Sequence, residues 1–215
     1  DDRRCAFSGL CRDAFVLDRD ADANGRFDEP GGTTVVRVSA GEDHAPSSVS
    51  AVSADGRVVA FISQAATLVA DDTNGLPDVF VYDRATSVVE RVSVGVGGVQ
   101  ATQGVFDVAG ALAISADGSL IAFASTSLGL VPDDFNVAAD VFLHDRRTGV
   151  TERVSLGDGG QEANASSFGW GVSAIGVSAD GLLIAFDSEA SNLVAGDANG
   201  AADVSIVNGA YWSNA

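Results

Sequence analysis

The residues Asp20-Ala21-Asp22-Ala23-Asn24-Gly25-Arg26-Phe27-Asp28-Glu29 put side-chain oxygens at positions 1, 3, 5 and 9 of a loop, with glycine at 6. Alternate residues of such a loop point inward, and Gly25 permits the sharp turn. Calcium takes six to eight oxygens in flexible geometry. Asp20, Asp22, Asn24, the backbone carbonyl of Arg26 and Asp28 supply most of that shell. Position 12, where a bidentate Glu is usual, is Gly31, so Asp28 is expected to ligate directly, with Asp18 or Glu29 completing the set. The competing reading is a solvated acidic hairpin. Crowding three acids and an Asn into nine residues favours the cation, since the charges otherwise repel without compensation. At an extracellular-type affinity of ~0.1 mM, ~1 mM calcium contributes about 1.4 kcal/mol. That orders a loop and makes no catalyst.

The last part of the spacing recurs as Asp72, Asn74, Asp78 and as Asp197, Asn199, Asp203, each with one acid fewer. These are weaker calcium candidates, because Asp and Asn also cap turns through their own backbone. Between them, Asp134, Asn136 and Asp140 carry Val137 where the other two have Gly. Other chemistry is thinly represented. No Gly-x-Ser-x-Gly elbow is present, and His44 and His144 fall in unlike places. His144 reads as a surface or packing residue. No pair of acids stands out as a glycosidase-like dyad. No catalytic residue is assigned. Trp170, in Phe168-Gly169-Trp170-Gly171, and Tyr211-Trp212 are aromatics that either fill gaps or anchor a partner.

Thirty acids against twelve arginines, with no lysine, give a net charge of −18 over 215 residues. That excludes a phosphate-backbone binder and weakens any attraction to anionic membranes. No apolar run reaches the length of a membrane span. Cys5 and Cys11 lack the spacing of a zinc site. They read as a local disulfide, which implies an oxidising compartment, or as two small apolar residues. The sequence starts at Asp1 with no targeting segment, the expectation for a processed product or a piece of something longer.

The elements that must position these loops come from an internal repeat. Ser-Ala-Asp-Gly occurs at 53–56, 115–118 and 178–181. Each is followed by an apolar run ending in Phe61, Phe123 or Phe186, then by Leu-Val, then by the Asp-x-Asn loop. A second strand follows (Asp78–Arg84, Asp140–Arg146), and a third closes the unit with Glu90-Arg91-Val92-Ser93 or Glu152-Arg153-Val154-Ser155. Near the N-terminus only the last part recurs, as Asp13–Arg19 and Val36-Arg37-Val38-Ser39. The runs are short and rich in β-branched and aromatic residues, and none holds a helical period. Asp-Gly predicts type I′ hairpin turns, so a further strand precedes each turn. The reading is all-β: a β-propeller of four-stranded antiparallel blades, incomplete at about three and a half blades. One repeat domain spans 1–215, with a partial blade at 1–39, blades at 48–93 and 110–155, and a partial blade at 173–207.

Ser-Ala-Asp-Gly-Arg-Val-Val-Ala-Phe, then Asp-Val-Phe-Val-Tyr-Asp-Arg, then Arg-Val-Ser, resembles the blade of TolB-type, WD-repeat-like bacterial propellers. The resemblance runs from Asp13 to about Ile206. It implies a periplasmic or secreted protein and closure with about six blades, within the four to eight of closed propellers. The 20–28 loop is similar to the nine-residue calcium loops of integrin-type propellers.

The expected function is a non-catalytic, exported binding or assembly scaffold with a calcium-ordered loop. Its partner is a protein or further blades, in a homo- or hetero-oligomer, with no nucleic acid and no membrane insertion. One alternative is a propeller-class enzyme, a lyase, a hydrolase or the propeller part of a peptidase. Another is a subunit of a cell-surface assembly whose open blades are completed by neighbouring chains, since open strand edges call for cover.

Overall fold

The computed structural model describes residues 12–41, 45–106, 108, 110–169, 174–199 and 201–208. Cys5, Cys11, His44, Trp170, Tyr211 and Trp212 lie outside these residues. The described chain is all-β and antiparallel. A two-stranded sheet, β1 (Phe15–Asp18) and β2 (Thr34–Arg37), comes first. Two four-stranded sheets follow: β3 (Ser47–Val52), β4 (Val58–Ser63), β5 (Asp78–Asp83) and β6 (Val88–Arg91), then β7 (Leu112–Ile114), β8 (Leu120–Ser125), β9 (Asp140–Asp145) and β10 (Val150–Arg153). A small hairpin, β11 (Leu156–Gly157) with β12 (Gln161–Glu162), leads to a sheet of β13 (Gly176–Val177), β14 (Leu183–Ser188) and β15 (Asp203–Asn208). Each large sheet is a meander, with spatial order equal to chain order. This is the blade order of a β-propeller, and the array is incomplete.

Alternation along the strands explains why the sheets stack. Side chains on successive residues face opposite ways. In the second sheet, Val79 and Val81 of β5 face the next blade and share a core with Leu112, Ile121, Phe123 and Phe142. Phe80, on the other face, packs back onto Ala14 and Val38 together with Phe61. The pattern repeats one blade on, where Val141 and Leu143 meet Phe168, Ile184 and Phe186. Both faces of the middle blades are therefore apolar, and all six residues of β4 are buried.

The Ser-Ala-Asp-Gly turns differ from expectation. A type I′ turn needs positive φ at both central residues, but only the glycine of each is left-handed: Gly56 at 70°, Gly118 at 71° and Gly181 at 74°. The aspartate instead clasps the turn. Ser53 Oγ donates to Asp55 at 2.6 Å and accepts from Val58 N at 2.9 Å, and Gly56 N donates to Ser53 O. Ser115 and Asp117 do the same, as do Ser178 and Asp180. The side-chain bonds satisfy groups that the predicted turn would have left to backbone geometry alone. Adjacent turns also join: Ala54 N donates to Ala116 O at 2.8 Å, and Ala116 N to Ala179 O at 3.1 Å.

Among the described residues, no helix is long and apolar enough to cross a membrane.

Candidate functional site

The 20–28 loop is curled by its own carboxylates. Asp20 Oδ1 accepts from Asn24 N and Oδ2 from Gly25 N, both at 2.9 Å. Asn24 Oδ1 accepts from Arg26 N at 2.8 Å, and its amide donates to Asp22 at 2.8 Å and to Glu29. Three residues hold left-handed conformations: Ala23, Gly25 and Asp28. The structure thus brings Asp20, Asp22 and Asn24 together. Asp28 is drawn elsewhere, to a two-pronged pair with Arg19, Nε to Oδ1 at 3.0 Å and Nη2 to Oδ2 at 2.5 Å. That pairing holds the Asp28 carboxyl below its ordinary range. The Arg19 guanidinium also lies 5.5 Å from the centre of the Phe27 ring. Among the described residues, no three His, Cys, Asp or Glu side chains converge as a metal-holding group.

Two of the three Asp-x-Asn loops hold an arginine of the chain itself. In the second sheet, Arg91 reaches Asp72 at 3.4 Å and Asp71 at 3.3 Å, with its side chain and that of Asp72 sealed from water. Gln100 Oε1 accepts from Arg91 Nη1 and from the backbone of Thr73 and Asn74. Asn74 donates to Asp78 at 2.9 Å. Ser93 Oγ donates to the other oxygen of Asp78 and accepts from Val79 N. In the third sheet, Arg153 Nη1 sits among three carboxylates: Glu162 at 2.7 Å, Asp134 at 3.0 Å and Asp140 at 3.7 Å. Ser155 repeats the role of Ser93. The first sheet has a simpler version, with Arg37 3.4 Å from Asp13 and Ser39 Oγ donating to Asp13 at 3.0 Å.

Burial sets the electrostatics of these clusters. Desolvation pushes the Asp72, Asp78 and Asp140 carboxyls up. Asp134 is pushed up to about 6, first by burial and then by Asp140. Two or three carboxylates around one guanidinium leave the cluster short of positive charge, which favours a proton on one of them. Val137, in the place of glycine, still adopts φ 54° beside Gly75 at 66°. The loop shape therefore survives without the residue that ordinarily permits it.

Sequence reasoning did not foresee Arg91, Arg153, Gln100 or Glu162 as parts of these sites. The signal was present: each Arg lies thirteen residues after Asp78 or Asp140 in the repeat. Antiparallel pairing of Phe80 with Arg91 and of Phe142 with Arg153 brings the two ends together. His144 is buried on β9, with Nδ1 2.9 Å from Thr151 Oγ1. The arginines just after β5 and β9 tie blades together: Arg84 bonds Gly56 O in its own blade and Asp18 in the preceding one, and Arg146 bonds Gly118 O in its own blade and Glu90 in the preceding one.

In Asp197, Asn199 and Asp203 the same Asn-to-Asp bond is made at 2.9 Å. Among the described residues, no arginine reaches this loop.

No family model and no curated protein matches the sequence. Among solved structures, the chain is similar to TolB from Acinetobacter baumannii, at 18% identity and a TM-score of 0.48, over 95% of this chain and 44% of TolB. It is similar to an oligogalacturonate lyase in complex with manganese at 13% identity and 0.47, over 90% and 45% of the two chains. It is also similar to the β-propeller domain of the Trilobed protease from Pyrococcus furiosus at 14% identity and 0.38, over 66% and 33%. The likeness is one of fold. The chain spans less than half the length of each of these structures.

Proposed function

We propose that this chain is a non-catalytic propeller scaffold whose two end blades are covered by further blades or by a protein partner. One observation carries the reading. Positions that are sealed in the middle of the array are open at its ends. Phe80 and Phe142 are 0% exposed, while Phe15, at the same place in the first sheet, is 57% exposed. Val79 and Val141 are 0% exposed, while Val204 in the last sheet is 74% exposed. Contiguous apolar faces of this kind mark interaction surfaces. The charged clusters support a structural role, because Asp72, Asp78, Asp134 and Asp140 are buried and the arginines that face Asp72 and Asp134 are buried with them. Export is part of the proposal. It rests on the blade resemblance and on the expected disulfide between Cys5 and Cys11.

The test is mass in solution. Light scattering on the purified chain at tens of micromolar is expected to give a mass above 21.7 kDa, and Phe15→Lys with Val204→Lys is expected to return it to that value. A strict monomer whose end faces bind no hydrophobic dye removes the reading.

Calcium at Asp20, Asp22, Asn24, Asp28 and the Arg26 carbonyl is a further part of the proposal. The curl of the loop supports it, and Arg19 is the competitor that a bound ion must displace from Asp28.

A further inference from the structure

We infer that the apolar groove on the loop end of the middle blades takes a segment of a partner protein, which seats one large apolar side chain there with arginine or lysine on either side. The inference goes beyond the scaffold reading, because the groove uses neither of the open end faces.

The groove is a cavity of about 570 Å³ lined by Pro77, Val105, Phe106, Val137, Ala138 and Phe168, with Glu189 as its charged member. The Phe106 and Phe168 rings lie 5.5 Å apart, centre to centre. A space with that lining fits a large apolar side chain. The apolar surface continues outward along one loop, where Phe135 is 72% exposed and Val137 69%. The two sibling loops carry Thr73 and Gly75, and Ala198 and Gly200, at those places. Val137 also holds φ 54°, a conformation that strains a β-branched residue and that glycine adopts freely. The blade therefore keeps two apolar side chains in water, one of them at a cost in backbone strain. Burial explains neither, and such features gather at contact surfaces.

Charge selects the occupant. At this end of the sheets Ser63 faces Asp78, Ser125 faces Asp140 and Ser188 faces Asp203. The connections there, 64–77, 92–111, 126–139, 154–175 and 189–202, contain nine acids and no arginine or lysine. Arg91 and Arg153 approach from the strands, but both are buried against internal carboxylates. The exposed Arg57 and Arg147 stand at the opposite end, paired with Asp83 and Asp145. Glu189 in the groove and Asp133, two residues before Phe135, are exposed acids. A basic segment gains from this field, whereas a second copy of the chain, acidic on the same face, is repelled.

Three peptides are the probes: Gly-Arg-Arg-Trp-Arg-Arg-Gly, the same peptide with alanine for tryptophan, and the same with glutamate for every arginine. Titrated into the full chain at about 0.15 M salt, the first is expected to bind at least tenfold tighter than either of the others and to slow hydrogen exchange over 135–139. Phe135→Thr with Val137→Gly gives this loop the residues of its sibling at 73 and 75, and in that variant the first two peptides are expected to bind alike. Val137→Gly alone serves if the pair does not fold. Equal binding of the first two peptides to the unchanged chain, no binding of the first, or an undiminished preference in the variant overturns the inference. In those cases a mass that still falls to 21.7 kDa with Phe15→Lys and Val204→Lys leaves the scaffold standing. A strict monomer that binds the tryptophan peptide keeps the groove and removes the scaffold.

Discussion

Arg153 Nη1 lies 3.0 Å from Asp134 Oδ1, and both side chains are sealed from water. Glu162 and Asp140 face the same nitrogen. The two partners are therefore unequal. Removing the arginine strands three carboxylates, while removing one carboxylate relieves repulsion. Arg153→Met is expected to cost about 3–5 kcal/mol, as breaking a buried pair does. Asp134→Asn is expected to stay within about 1 kcal/mol, the range of changes that strand no charge. Urea melts of both variants measure the difference. Equal losses would show that the cluster is balanced.

The pH dependence has a definite sign. Asp134 is raised to about 6 in the folded chain, from an ordinary 3.8. The folded state therefore binds more protons between those values, and stability from this group falls as pH rises through that window. The stability of the native chain relative to Asp134→Asn is expected to decline from pH 4 to pH 6 and to level off above it. A difference that stays flat with pH rejects the assignment.

His144 works in the opposite sense. Burial lowers its pKa below 6.5, so the unfolded state takes the proton first and stability falls as pH drops below 6.5. His144→Gln is expected to remove that loss. NMR titration of the imidazole should show a midpoint below 6.5.

Val137 is β-branched, holds φ 54° and is 69% exposed. Left-handed backbone costs a residue of this type about 1–2 kcal/mol. Val137→Gly is expected to stabilise by about 1 kcal/mol, and Gly75→Ala to destabilise by about the same. Gly118→Ala should cost more, because its Cβ would come within 2.7 Å of Val58 in the preceding blade. Thermal melts rank the three.

For the 20–28 loop, ~1 mM calcium is expected to raise stability by about 1.4 kcal/mol if the affinity is ~0.1 mM, and Asp20→Ala to abolish the rise. Melting curves with calcium and with chelator decide. No shift removes calcium from the account.

The blade was legible in the sequence because three short apolar runs recur at spacings of 62 and 63, and period-two alternation needs no tertiary information. The turns were misread because the Asp-Gly rule considers backbone φ and ignores a serine two residues earlier that can bond the aspartate. The arginines went unassigned because Asp72 and Arg91 are distant in the chain and meet only through hairpin register. Read as bare acids, Asp72 and Asp78 invite an outside cation; hairpin register sets Arg91 beside Asp72. The small hairpins that carry Gln100 and Glu162 have too few residues to register as strands by pattern.

The turn-to-turn bonds from Ala54 to Ala116 and from Ala116 to Ala179 all run one way, each turn donating to its successor. The array consequently has a polarity, like a row of arrows. Another module continues the same bonds only nose to tail, and two copies meeting through like ends would set donor against donor or acceptor against acceptor. Any closed ring built on this chain must circulate in a single sense.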